Sequence, residues 1–157
     1  MGERVEVLQQ LIDAYKFERA KACHRPLADL LASCLPDLPT ETIVVPIPTI
    51  SSHIRQRGYD HTLLIARRVA KMKGLTLDPV LLRRTATKQR GATRKERIAQ
   101  AKEAFALKST ALPGRPYLLI DDVVTTGSTV KYAAQLLKDA GAGEVWVGVI
   151  ARQVSTE

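Results

Sequence analysis

The sequence predicts an α/β fold: a mostly parallel central sheet flanked by helices on both faces. Three observations carry this expectation. Thr42–Ile47 and Tyr117–Asp121 are apolar runs of strand length, and Val145, Val147 and Val149 alternate as a last strand. Segments with apolar residues at helical spacing stand between and before them. Proline and glycine punctuate the boundaries, and strands alternating with helices give a parallel sheet covered on both faces.

Taken in order, residues 5–15 place Leu8, Leu11, Ile12 and Tyr15 on one helical face, and residues 26–35 repeat the pattern with Leu27, Leu30, Leu31 and Cys34. Pro36 and Pro39 stop that helix. The strand Thr42–Ile47 ends at Pro46 and Pro48, and a loop is expected over Pro48–Gly58. Asp60 caps a helix running to Met72, with Gly74 as its stop. Pro79–Arg84 and Phe105–Leu107 are short strand candidates on either side of a polar, basic stretch. Tyr117–Asp121 is the most apolar strand, and Ser128–Ala140 is a helix closed by Gly141 with Val130, Ala133, Ala134 and Leu137 on one face.

The 157 residues suit one domain, with helices at about 5–35 and a ligand-binding core at about 42–153. No apolar run approaches the roughly 20 residues that span a bilayer. Met1-Gly2-Glu3-Arg4 shows no signal core, so a cytoplasmic protein without membrane insertion is expected. Cys23, His24 and Cys34 lack metal-ligand spacing and read as reduced thiols and a histidine on helix faces. The net charge of +8 favours anionic partners, whether phosphates, nucleotides or nucleic acid. Arg83–Arg97 supplies +6 of it, with Arg83, Arg84, Lys88, Arg90, Arg94, Lys95 and Arg97 against Glu96.

The segment Tyr117–Thr129 is the most informative. A buried strand ends in Asp121 and Asp122, and a turn of small residues leads into a helix. A helix start exposes unpaired N–H groups and a partial positive charge. Gly127 permits dihedrals that other residues avoid, and Thr125, Thr126, Ser128 and Thr129 add hydroxyl donors. Together they form a cup for a phosphate. The two carboxylates accept hydrogen bonds from sugar hydroxyls and sit where a magnesium ion could lie, directly or through water. A phosphate cup beside hydroxyl acceptors describes a phosphoribosyl site; the bland alternative is a helix capped by Ser128 with two solvated acids.

This segment resembles the 5-phosphoribosyl-1-pyrophosphate (PRPP) signature of type I phosphoribosyltransferases. The resemblance implies that Asp121 and Asp122 hold the ribose hydroxyls and that Thr125, Thr126, Gly127, Ser128 and Thr129 bind the 5′-phosphate. Val45-Pro46-Ile47-Pro48, Arg55-Gln56-Arg57-Gly58-Tyr59-Asp60, Tyr15-Lys16-Phe17, and the spacing of Arg84, Gln89, Arg97 and Phe105 resemble the ComF/GntX-like competence family. Asp60-His61 and Gln100 depart from that family's usual asparagine-glutamine and asparagine. Longer members carry an N-terminal cysteine-rich zinc module, and these residues contain no such cluster.

The resemblance implies a glycosyltransferase that moves the phosphoribosyl group from PRPP to an unidentified nitrogen acceptor, with Mg²⁺ on PRPP near Asp121 and Asp122 and no metal bound by protein alone. Thr49, Arg55 and Arg57 lie where type I enzymes bind pyrophosphate. His53 and His61 flank that loop, and neither is assigned catalysis. Arg84, Lys88, Arg90, Arg94, Lys95 and Arg97 fall where those enzymes carry a flexible hood; the same cations would also suit a nucleic-acid backbone. The rival reading is a non-catalytic competence protein that binds single-stranded DNA or DNA-uptake partners. Homo-oligomerisation is left open.

Overall fold

The computed structural model describes residues 2–18, 20–84, 105–108 and 113–153, with the side chains of the first helix described from Val7 onward. The chain begins with α1 (Gly2–Phe17), a 3₁₀ turn (Lys21–Cys23) and α2 (His24–Cys34). There follow β1 (Ile43–Pro46), α3 (Ser51–Arg57), α4 (His61–Lys73), β2 (Thr76–Leu77) and β3 (Leu81–Arg83). The last described elements are β4 (Phe105–Leu107), β5 (Tyr117–Val124), α5 (Ser128–Asp139) and β6 (Val145–Arg152).

The main sheet has the order β2-β1-β5-β6, and all its pairings are parallel. This bears out the expected α/β architecture. β3 and β4 pair antiparallel as a separate ribbon, with Arg83 opposite Phe105. No helix among the described residues is long and apolar enough to cross a membrane.

The period-two alternation of strands divides the core. Val44, Leu118 and Ile120 face one way, against Ile12 and Tyr15 of α1, Leu27 and Leu31 of α2, and Ile65 and Val69 of α4. Ile43, Val45, Tyr117 and Leu119 face the other way, against Val130, Ala133 and Leu137 of α5 and Phe105 of the ribbon. β5 is fully buried over its first four residues, which is why its sequence is continuously apolar there.

Several local expectations hold in detail. The Asp60 carboxylate accepts the Leu63 backbone N–H at 3.1 Å and caps α4. Gly74 ends that helix with φ of 66°, a left-handed conformation that glycine enters without Cβ strain.

Others are corrected. The segment expected as a loop over Pro48–Gly58 contains α3; its polar, seven-residue sequence buries no side chain and carries no helical stripe to read. β5 does not stop at Asp121 but runs to Val124, because β6 keeps pairing with it beyond the end of β1. β6 is an outer strand of the described sheet, so its valines are not uniformly buried and Val147 is 44% exposed.

Tyr15 ties α1 to the rest of the protein. It is buried, its hydroxyl donates to the His61 carbonyl at 2.7 Å, and its own carbonyl accepts from the Tyr59 hydroxyl at 2.5 Å. The two rings stack with centroids 5.4 Å apart. Tyr15→Phe keeps the packing and strips the His61 carbonyl of its donor. It is expected to lower stability by about 1–2 kcal/mol, read as a lower urea midpoint with an unchanged slope.

Candidate functional site

Parallel sheets of this kind bind ligands beyond the carboxyl ends of their strands. Here β1 ends at Pro46 and β5 continues past it, so the β5 extension stands beside the segment that leaves β1. The alternation of β5 then separates the two acids. Asp121 follows Tyr117 and Leu119 onto the α5 side, and Asp122 follows Leu118 and Ile120 onto the side of α1 and α4. The sequence places the carboxylates together, whereas the strand aims them at different surroundings.

Asp122 is buried, and its Oδ2 lies 2.9 Å from Lys16 Nζ and 2.9 Å from His61 Nε2. Both are close salt-bridge contacts to a single carboxylate oxygen. Burial pushes the Asp122 carboxyl up, but the hydrogen-bonding and charge of His61 and Lys16 outweigh it and hold the group well below the usual carboxylate range. Asp121 has no ion pair among the described residues, and its Oδ1 accepts the Asp122 backbone N–H at 2.9 Å. Burial first, and the neighbouring Asp122 charge second, push its pKa up to about 7.

Beyond the acids, Val123, Val124, Thr125, Thr126, Gly127, Ser128 and Thr129 wrap a small nook that Asp121 also lines. Gly127 is the N-cap of α5 with φ of 76°, and no side chain caps that helix. Ser128 therefore does not act as the cap; its hydroxyl lies 2.9 Å from that of Thr126. The first turn of α5, whose residues Ser128 and Thr129 line the nook, carries a partial positive charge, and the Ser128 N–H lies 3.4 Å from the Thr126 hydroxyl oxygen. The residues expected from the sequence to form a phosphate cup thus line one small nook, built by one contiguous segment.

A larger cavity of about 370 Å³ adjoins it, sharing Asp121 and Thr129. Its walls are basic: Lys16, His53, Arg57, His61 and Arg83 line it with Asp122 and Thr49. Arg57 lies with Nη1 2.9 Å from His61 Nδ1 and its guanidinium carbon 6.0 Å from the Phe17 ring centroid. Thr49 donates its hydroxyl to Asp60 at 2.8 Å. Arg83 reaches the Pro48 carbonyl at 3.3 Å.

The structure thus brings Thr49 and Arg57 to the cavity but leaves Arg55 exposed and outside its lining. Arg84 is described and exposed. Lys88, Arg90, Arg94, Lys95 and Arg97, together with Gln89 and Gln100, lie outside the described residues. Lys16, His61 and Arg83 are the site residues that sequence reasoning did not assign. Lys16 sits in the Tyr15-Lys16-Phe17 motif, which was a signal, but only packing shows where its side chain goes.

Comparison with known proteins sets this site in a family. A model of the phosphoribosyl transferase domain matches residues 61–157, more than half of the chain. The chain belongs to the phosphoribosyl transferase domain family. The cup and Asp121 fall inside the matched stretch; Lys16, Thr49 and Arg57 precede it.

Among relatives of this family member, Competence protein F of Haemophilus influenzae is 32% identical over 164 residues, spanning 97% of this chain and 71% of that one. The DNA utilization protein YhgH of Salmonella typhi is 33% identical over 154 residues, spanning 92% and 67%. Both bear out the competence-family resemblance. The glutamine PRPP amidotransferase of B. subtilis has a similar fold, with a TM-score of 0.58 at 17% identity, over 81% of this chain and only 26% of that larger one.

Proposed function

We propose that this protein binds PRPP and transfers its phosphoribosyl group to a nitrogen acceptor, releasing pyrophosphate. One observation carries the reading: an uncapped helix start forms a phosphate-sized nook that opens, through Asp121 and Thr129, into a basic cavity. The nook suits the 5′-phosphate. Asp121, facing both spaces, suits the ribose hydroxyls. Arg57, Arg83 and Lys16 suit the pyrophosphate charge.

In the reaction, the bond from C1 to the pyrophosphate oxygen breaks with its electron pair leaving on pyrophosphate. The acceptor nitrogen forms the new bond to C1 and loses a proton. The protein contributes position and charge: it fixes the phosphate end, orients the ribose, and sets cations where negative charge develops. His53 lines the cavity, and burial together with the nearby Arg57 charge lowers its pKa, favouring the neutral form that can accept a proton.

Magnesium fits this site as a partner of the ligand. Among the described residues no three carboxylate, histidine or cysteine groups form a cage, so ligand oxygens would supply most of the coordination. Asp121, free of ion pairs among the described residues, is the carboxylate that would hold it, directly or through water. The ion would screen the pyrophosphate charge.

Isothermal titration with ribose 5-phosphate, pyrophosphate and PRPP tests the binding half of the reading. PRPP is expected to bind tightest, because it fills nook and cavity together. A panel of nucleobases and amines, assayed for pyrophosphate release, tests transfer. A protein that binds PRPP but releases no pyrophosphate with any acceptor would retain only the binding role.

The names of the relatives favour a second reading, in which the basic surface handles DNA in competence. Here Arg90, Arg94 and Lys95 changed together to Gln would weaken DNA binding at every sequence. The salt slope would fall by roughly 0.7–0.9 per lost phosphate contact.

A further inference from the structure

We propose that His61 is a positioning residue for Arg57, holding its guanidinium in the basic cavity in the orientation that receives pyrophosphate. The inference rests on the PRPP reading above and gives a role to a buried side chain that the reading leaves unused.

Arg57 needs a support from outside its own helix. It closes α3, which has seven residues and buries no side chain, so packing of α3 does not fix it. An arginine is long and carries a large rotamer entropy that binding must otherwise remove. Arg55, two residues earlier on α3, is exposed and outside the cavity lining. Among the described residues no carboxylate forms an ion pair with Arg57, so its charge is left for an anion.

His61 supplies the support. It is 6% exposed, and its Nδ1 lies 2.9 Å from Arg57 Nη1. The Phe17 ring centroid lies 6.0 Å from the guanidinium carbon, so a buried imidazole and an aromatic ring both hold the arginine. His61 is itself fixed from several elements. Its Nε2 lies 2.9 Å from Asp122 Oδ2 of β5, and its carbonyl accepts the Tyr15 hydroxyl of α1 at 2.7 Å. The Tyr15 ring stands edge-on to it with centroids 6.1 Å apart, and the Thr49 hydroxyl lies 3.5 Å from Nδ1. The rigidity of the sheet and of α1 thus reaches an arginine whose own helix is not anchored.

The chemistry follows from the shape of the guanidinium. Its planar fork matches phosphate oxygens only in a fixed orientation, and one nitrogen held near His61 leaves the other donors for the ligand. Ordering the arginine before the ligand arrives removes a cost from binding.

The test is titration of pyrophosphate and ribose 5-phosphate, with magnesium chloride throughout, into wild type and four variants: His61→Leu, His61→Asn, Arg57→Met and the double variant Arg57→Met with His61→Leu. Arg57→Met is expected to lose about tenfold or more in pyrophosphate affinity, the loss of one charge-assisted bond. His61→Leu should lose about fivefold for pyrophosphate and stay within about twofold for ribose 5-phosphate, because His61 does not line the nook. His61→Asn gives up the reach to Asp122, as His61→Leu does, but keeps a polar atom near the place of Nδ1. It should hold pyrophosphate within about twofold of wild type. The double variant should be no weaker than Arg57→Met, since His61 then has nothing to position.

His61→Leu matching wild type for pyrophosphate would overturn the proposal. So would losses that add in full in the double variant, or an equal loss for both ligands, which marks a merely structural role. If His61→Leu does not fold, His61→Asn decides, and a loss of pyrophosphate affinity beyond about fivefold in it overturns the proposal. Wild type binding neither ligand is a different failure: it overturns the PRPP reading itself.

Discussion

Gly127→Val is expected to weaken both ribose 5-phosphate and PRPP by at least about a hundredfold, as two or more charge-assisted bonds of about 1.5–3 kcal/mol each are lost. The cause is conformational rather than crowding. A Cβ at this position would meet only the Val124 Cγ1 at 3.7 Å, an ordinary contact. The φ of 76° is the obstacle, because a β-branched residue is strained in the left-handed region. Relief of that strain rotates the peptide leading into α5 and turns its first N–H groups away from the nook. Titration of both ligands checks this. A loss confined to PRPP would place the 5′-phosphate elsewhere, since ribose 5-phosphate has no pyrophosphate to lose.

Asp121→Asn and Asp122→Asn are expected to move stability in opposite directions. Asp121 ionises near 3.9 in the unfolded chain but near 7 in the fold. Between those values the folded state holds the extra proton, so this group makes stability fall as pH rises from about 4 to 7. Asp121→Asn removes that burden. Its melting temperature at pH 8 should exceed that of wild type by a few degrees, about 1–2 kcal/mol for a chain of this size, with the gap closing below pH 4.

The same variant should lose PRPP affinity, as a site residue retained against stability would.

Asp122 has the reverse sign. Its folded pKa lies below the unfolded value, so its contribution is present above the unfolded pKa and disappears as pH falls through the folded one. Asp122→Asn strips Lys16 and His61 of their shared counter-ion, which costs about 3–5 kcal/mol where a buried pair is broken. Thermal melts across pH 3–8 resolve the two behaviours. Equal and same-signed shifts for both variants would show that the acids share one environment and that the split between the faces of β5 has no energetic weight. Replacement of both acids by Ala should abolish measurable PRPP binding.

The strand, turn and helix start that line the nook were legible in the sequence because they are local. A buried strand, a left-handed glycine and a helix start follow one another within thirteen residues, from Tyr117 to Thr129, and backbone geometry makes the nook from adjacent residues. The parallel sheet was legible for a similar reason: alternating apolar runs and amphipathic segments specify layers before their partners are known. The Asp60 cap and the Gly74 stop are local signals too, and both stand in the structure as read.

What residues alone did not decide is which side chains meet across the fold. Lys16 and Asp122 are separated by most of the chain, and their 2.9 Å contact exists only because α1 packs on the same face of β5 as α4. The choice between Arg55 and Arg57 turned on α3, a short helix whose polar sequence carries no stripe, yet whose turn sends one arginine to His61 and the other to solvent. The division of the acid pair also needed the tertiary structure. Whether β5 stops at Asp121 or runs on to Val124 depends on β6 pairing alongside it, and a strand that continues must point consecutive residues to opposite faces.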